Sequence, residues 1–149
     1  INKTKHLSAK HLHELHLAGW KIGSHGHTHT SFSVLNDSES KSELLTSKKI
    51  IEDIIQDEVF AFSPPFGKID QSLCNTLEEV GFREIFLQKK RGELNIKTTS
   101  SKILFSRSVY SIDSLDNFQN KFKNGSFDLF KETAIQSCAN ATIAVKEIL

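Results

Sequence analysis

In 149 residues the chain has no methionine, two cysteines, two prolines, one tryptophan and one tyrosine. Each scarcity removes a class of function. Cys74 and Cys138 are too few for a disulfide framework or a cysteine-built metal site, and they leave the redox compartment open. No apolar run approaches the roughly 20 residues of a membrane span, and no signal peptide is visible at the start. An excess of one charge is also missing. Nineteen Lys and Arg against eighteen Asp and Glu give no electrostatic footprint for nucleic acid or an anionic membrane surface. The chain lacks repeats of about 20–50 residues and low-complexity tracts. No histidine follows His29. With Ile1 first and no methionine, a segment upstream is expected to be missing from this sequence.

What the chain does have is histidine in one place. A short apolar strand, Trp20-Lys21-Ile22, runs through Gly23 and Ser24 into His25, His27 and His29. Imidazole is the commonest protein metal ligand. A helical turn after the strand would aim His25 and His29 at one ion and turn His27 away. If the strand instead continues through Thr30, its period of two puts all three on one face as three ligands. Gly23 and Gly26 permit sharp turns beside them, and Ser24 and Thr28 can orient the rings. His6, His11, His13 and His16 lie on or beside the preceding helix and read as its solvated polar face.

The rest of the chain alternates helix and strand. Ser8 caps a helix with Leu12 and Leu15 as its ridge, and Gly19 stops it. Asn36-Asp37-Ser38 start an amphipathic helix over 37–56 carrying Leu44, Leu45, Ile51, Ile54 and Ile55. Glu58 to Ser63 reads as a buried strand that ends on the rigid elbow Pro64-Pro65-Phe66-Gly67. In parallel α/β sheets, active sites gather at that end of a strand. A helix from Asp70 to Gly81 and a strand over 82–87 follow, then an aperiodic loop over 89–101 and a strand over 103–110. Asp113-Ser114 cap a helix ending at Gly125. From Phe127 a stripe of Phe130, Ala134, Cys138, Ala141 and Val145 predicts a long last helix over 126–149, packed on the domain. This is an α/β pattern with a largely parallel sheet, read as one domain over 1–149.

Two segments carry a family resemblance. The run from Ala18 to His25, followed by His29, resembles the G-S-H-x-x-x-H motif of the NodB-type polysaccharide deacetylases. Pro65-Phe66-Gly67 matches that family's R-x-P-[YF]-G motif, with Ser63 standing in place of the arginine. The joint Leu77-Glu78-Glu79-Val80-Gly81-Phe82 is similar to the family's as well. The resemblance covers roughly residues 7 to 110 and implies part of a distorted (β/α) barrel of the polysaccharide deacetylase type, which four strands cannot close. It names His25 and His29 as metal ligands, with no role for His27, and implies a divalent ion, zinc first. The backbone N–H of Phe66 would hold the oxyanion, and Pro65 and Phe66 would line the substrate.

The implied activity is metal-dependent removal of N-acetyl groups from a carbohydrate. The family's first motif, an aspartate pair supplying a ligand and the base, would lie upstream of Ile1, and its late Leu-x-His motif is absent. An incomplete domain follows as an expectation: the 149 residues alone self-associate or need an upstream segment to complete the fold, and release no acetate. The alternatives are a catalytically silent carbohydrate-binding or scaffold module of the same fold, and a plain metal-storage or sensor site on His25, His27 and His29.

Overall fold

A helix begins where a side chain can take over its first free N–H groups. In the computed structural model, which describes residues 6–87, 95–105 and Asp116, three such starts are visible. Helix α1 (Ala9–Leu17) opens on a reciprocal box between Ser8 and His11. Helix α2 (Asp37–Ile55) opens on the same device, Asn36 with Glu39, both bonds 2.9 Å long. Helix α3 (Gln71–Val80) starts from the Asp70 carboxylate and stops at Gly81, whose φ of 91° an L side chain resists.

The first two strands are shorter than the sequence predicts, and the described strands run parallel. β1 (Ala61–Phe62), β2 (Glu84–Leu87) and β3 (Lys102–Phe105) lie side by side in chain order, with α3 crossing over between the first two. The strand expected over 58–63 shrinks because Val59 gives its backbone to side chains of α2. Its N–H donates to Glu52 and its carbonyl accepts from Lys48. The strand expected at Trp20 shrinks to a parallel bridge between Ser24 and Phe62. Among the described residues the sheet is open, three strands and one bridge, rather than a barrel.

The chain divides into two compact units, Ile1–Phe105 and Ser106–Leu149. In the second only Asp116 is described, and it is helical. The strand beyond Phe105, the helix from Asp113 apart from Asp116, and the long helix over 126–149 thus lie outside the described residues.

Alternation along the strands sorts the sheet into two faces. Phe62, Ile85 and Leu87 point to one and join a core with Leu44 and Ile55 of α2 and Leu73 and Leu77 of α3. Phe62 is the hinge pin of this core, with Phe32 5.7 Å and Phe82 5.2 Å away, ring centre to ring centre. Ala61, Ser63, Glu84 and Phe86 point the other way and line a cleft of about 390 Å³. On α2 the buried line is Ser40, Leu44, Ser47 and Ile55, whereas Leu45, expected inside, is exposed.

Of the histidines on or beside α1, His6 and His11 are exposed as a solvated face would be, but His13 and His16 are not. His13 Nδ1 meets the Ile54 carbonyl at 3.0 Å and His16 lies 3.4 Å from the Asp57 carboxylate, so both dock α1 on the end of α2.

One latch holds the far side of the unit. Glu78 on α3 accepts the backbone N–H groups of Thr99, Ser100 and Ser101 and both side-chain hydroxyls of Thr99 and Ser101, at 2.6 to 2.9 Å. Burial raises its pKa, but these bonds outweigh burial and bring it down to about 2. Because the folded value is depressed, the stabilisation is complete above the ordinary value of 4.5 and is lost as pH falls from there through about 2. Glu78→Gln is expected to cost about 1–2 kcal/mol at neutral pH, after allowing for water competing at a partly exposed site. Denaturant melts of the two proteins should converge between pH 4.5 and 2. A gap that stays constant over that range would show that the carboxylate's charge is not what closes the latch.

Candidate metal-binding site at the carboxyl edge of the sheet

Two segments leave the sheet side by side. Ser24 donates its N–H to the Ala61 carbonyl at 2.9 Å and accepts from Ser63 N–H at 3.0 Å, which fixes their register. His25 follows one of them and the Pro64-Pro65 elbow follows the other. Gly23 makes this approach feasible, since a Cβ there would stand 3.1 Å from the Ala61 carbonyl oxygen and 3.2 Å from its Cβ.

The histidine segment adopts neither of the geometries that its spacing predicts. Gly26 at φ 85° and His29 at φ 61° are both left-handed, so a loop forms instead of a helical turn or a continued strand. This loop brings the His25 and His29 rings together, 4.9 Å between centres and inclined at 61°. His25 Nδ1 lies 2.6 Å from the Ser63 carbonyl oxygen. A carbonyl only accepts, so Nδ1 carries the hydrogen and, in the neutral ring, the lone pair is on Nε2. Both rings are exposed.

His27 is held apart by α2. Its N–H and that of Thr28 donate to Glu43 Oε2, each at 2.9 Å, and the Thr28 hydroxyl donates to Oε1 at 3.0 Å. Burial pushes the Glu43 pKa up, yet the Thr28 and His27 bonds and the charge of the His27 ring hold it below the usual carboxylate value.

The elbow completes the edge. Gly67 N–H donates to the Pro64 carbonyl at 3.0 Å, closing a turn whose third residue, Phe66, sits at φ 60° and ψ 8°. Pro64 and Pro65 are buried and Phe66 is half-buried, its ring edge-to-face on His29 at 5.1 Å. The two left-handed non-glycine residues of the site therefore touch. Such backbone costs about 1–3 kcal/mol per residue and persists where surrounding contacts over-determine it.

The model of the family described as polysaccharide deacetylase matches residues 2–85. The chain belongs to the polysaccharide deacetylase family. Sequence comparison with curated proteins gives no match. Solved structures extend the fold likeness. A deacetylase from Streptococcus pyogenes in complex with acetate is 13% identical at a TM-score of 0.67, over 80% of this chain and 52% of that one. A polysaccharide deacetylase from Bacillus cereus is 18% identical at 0.65, over 80% and 38%. A family 4 carbohydrate esterase from Streptomyces lividans, in complex with acetate, is 18% identical at 0.51, over 54% and 42%. The chain spans about half or less of the length of these solved relatives.

Within this member of the polysaccharide deacetylase family, the residues singled out from sequence fall at one edge: His25, His29, Pro65 and Phe66, with the His27 N–H bonded to Glu43. Among the described residues no group of three His, Cys, Asp or Glu side chains is placed to share a metal. Sequence reasoning missed Glu43 and Ser47. The signal was there, because Ser40 and Ser47 interrupt the apolar stripe of α2 at buried positions and so require partners.

The left-handed turn yields a direct test. Phe66→Gly and Phe66→Ala both lose the ring, but only alanine retains the steric cost of positive φ. Denaturant unfolding should find the glycine variant more stable by about 1 kcal/mol. Equal stabilities would mean that the turn relaxes to ordinary φ.

Proposed function

We propose that this chain carries part of the active site of a metal-dependent carbohydrate N-deacetylase, with His25 and His29 as ligands of one divalent ion, zinc first. The observation behind the proposal is the His25–His29 ring pair beside the elbow, with the Nδ1 of His25 committed to the Ser63 carbonyl. Two nitrogens bound to one tetrahedral zinc stand about 3.3 Å apart, and rings 4.9 Å apart between centres are compatible with that. A borderline divalent ion suits imidazole donors.

A divalent ion held there supplies Lewis-acid polarisation of the acetyl carbonyl and a more acidic water. The chain's own residues do the remainder. The Ser63 carbonyl fixes the tautomer of His25 and His29 is braced by the Phe66 ring. The backbone N–H of Phe66 donates to the oxyanion of the tetrahedral intermediate, and Pro65 and Phe66 line the bound sugar. The cleft of about 390 Å³ lined by His25, Ser63, Glu84 and Phe86 gives a polymer or glycoconjugate room to approach His25.

A second reading, a silent carbohydrate-binding or scaffold module, is favoured by Ser63, which stands where the family motif has arginine. Metal titration and acetate release separate the two. Zinc binding to the 149-residue chain should weaken at least tenfold in His25→Ala and His29→Ala and change by less than about threefold in His27→Ala, as followed by calorimetry. Loss in His27→Ala equal to that of the other two would sink the ligand assignment. With an upstream segment ending in an aspartate pair added, the chain should release acetate from acetylated amino sugars, and His25→Ala should abolish the release. Zinc binding without any release would leave the silent module as the answer.

A further inference from the structure

We infer that Glu43 and Ser47 of α2 are the positioning residues of the histidine pair, two posts one helical turn apart that hold the loop on either side of His25 and ahead of His29. This rests on the reading that His25 and His29 share an ion. Residues four apart on a helix share a face, so α2 presents both side chains together to the 24–28 segment.

Each post can be followed proton by proton. The Ser47 hydroxyl donates to the Leu44 carbonyl at 3.0 Å, so the 2.7 Å bond to Ser24 is a donation from Ser24 Oγ. Ser24 Oγ then accepts Gly26 N–H at 3.3 Å. The buried Ser24–Ser47 pair thus anchors the residues immediately before and after His25. Glu43 takes the next stretch. One oxygen receives two successive backbone N–H groups and the other the Thr28 hydroxyl, which leaves Thr28 Oγ1 to accept from Thr30 at 2.8 Å. Successive N–H groups converging on one oxygen form an anion-binding nest, and a carboxylate fills it better than a neutral group.

The loop needs such an anchor because its shape is not its own preference. Gly26 and His29 are both left-handed, and His29 pays a steric cost there. The hydrogen bonds of both posts to the loop go to Ser24, His27 N–H and Thr28 and not to the rings of His25 or His29. Their effect on those rings runs through the backbone, and Glu43 is outside the buried apolar core, so removing its charge loosens the loop without opening a cavity.

The test uses the 149-residue chain, cobalt(II) as the probe ion followed by absorption, and amide hydrogen exchange by NMR. Glu43→Gln should lower cobalt affinity at least tenfold and remove protection from the His27 and Thr28 amides, while Ile85 in the core keeps its protection. Ser47→Ala should lower affinity and expose the Gly26 amide. Thr28→Val removes one bond to Glu43 together with the Thr30 bond and leaves the residues of α2 unchanged, so a several-fold loss of affinity there, with no such loss in Thr30→Val, carries the inference even if Glu43→Gln unfolds. Unchanged affinity together with retained His27 and Thr28 protection in Glu43→Gln would overturn it. If the unmutated chain binds no cobalt, or His25→Ala binds as well as wild type, the shared-ion reading fails instead, and the exchange data alone decide whether Glu43 holds the loop.

Discussion

Two hydrogen bonds, Ser24 N–H to the Ala61 carbonyl and Ser63 N–H to the Ser24 carbonyl, set the register on which the site is built. They put the last residue before the first histidine against the last residue before the Pro-Pro elbow. From that register the two segments can only leave the sheet together, and the His25 ring falls within reach of the Ser63 carbonyl. Helix α2 then works from behind. It seals the sheet's inner face with Leu44 and Ile55, clamps Val59 between Lys48 and Glu52, and reaches past the sheet's edge to the histidine loop with Glu43 and Ser47. Core, sheet register and site geometry are therefore three tasks of one amphipathic helix.

The three described helices were legible in the sequence because their signals are local. Asn36 with Glu39, Asp70 ahead of Leu73, and Gly81 mark boundaries through bonds within four residues, and the structure has those bonds. Strand extents were not legible in the same way. Val59 and Phe60 read as strand from their apolar character, yet the Val59 backbone is bound by side chains, and the Phe60 carbonyl is shared by the N–H groups of Arg83 and Glu84. Partners distant in sequence decided those outcomes.

At the site, the meeting of the singled-out residues was legible and their conformation was not. The motif spacing singles out His25, His29, Pro65 and Phe66, and all four come to one edge. A helical or a strand period could not anticipate a loop with Gly26 and His29 left-handed, because the contacts that impose it come from Glu43 on another element. The docking of His13 and His16 on the end of α2 escaped for the same reason: a histidine-rich helix face looks solvated until its neighbour is known.

The sheet order also bears on how the unit assembles. Ser24, β1, β2 and β3 stand in the sheet in the same order as in the chain, so each new strand adds to the edge left by the one before it. During synthesis each described strand after the first meets a neighbour that already exists, and among the described strands no gap waits for a later one to be threaded into it. Parallel pairing is ordinarily slow because distant pieces must find one another. Here the search is a sequence of closures between pieces that follow one another in the chain, and the growing edge is the surface most exposed to wrong partners until the next strand arrives.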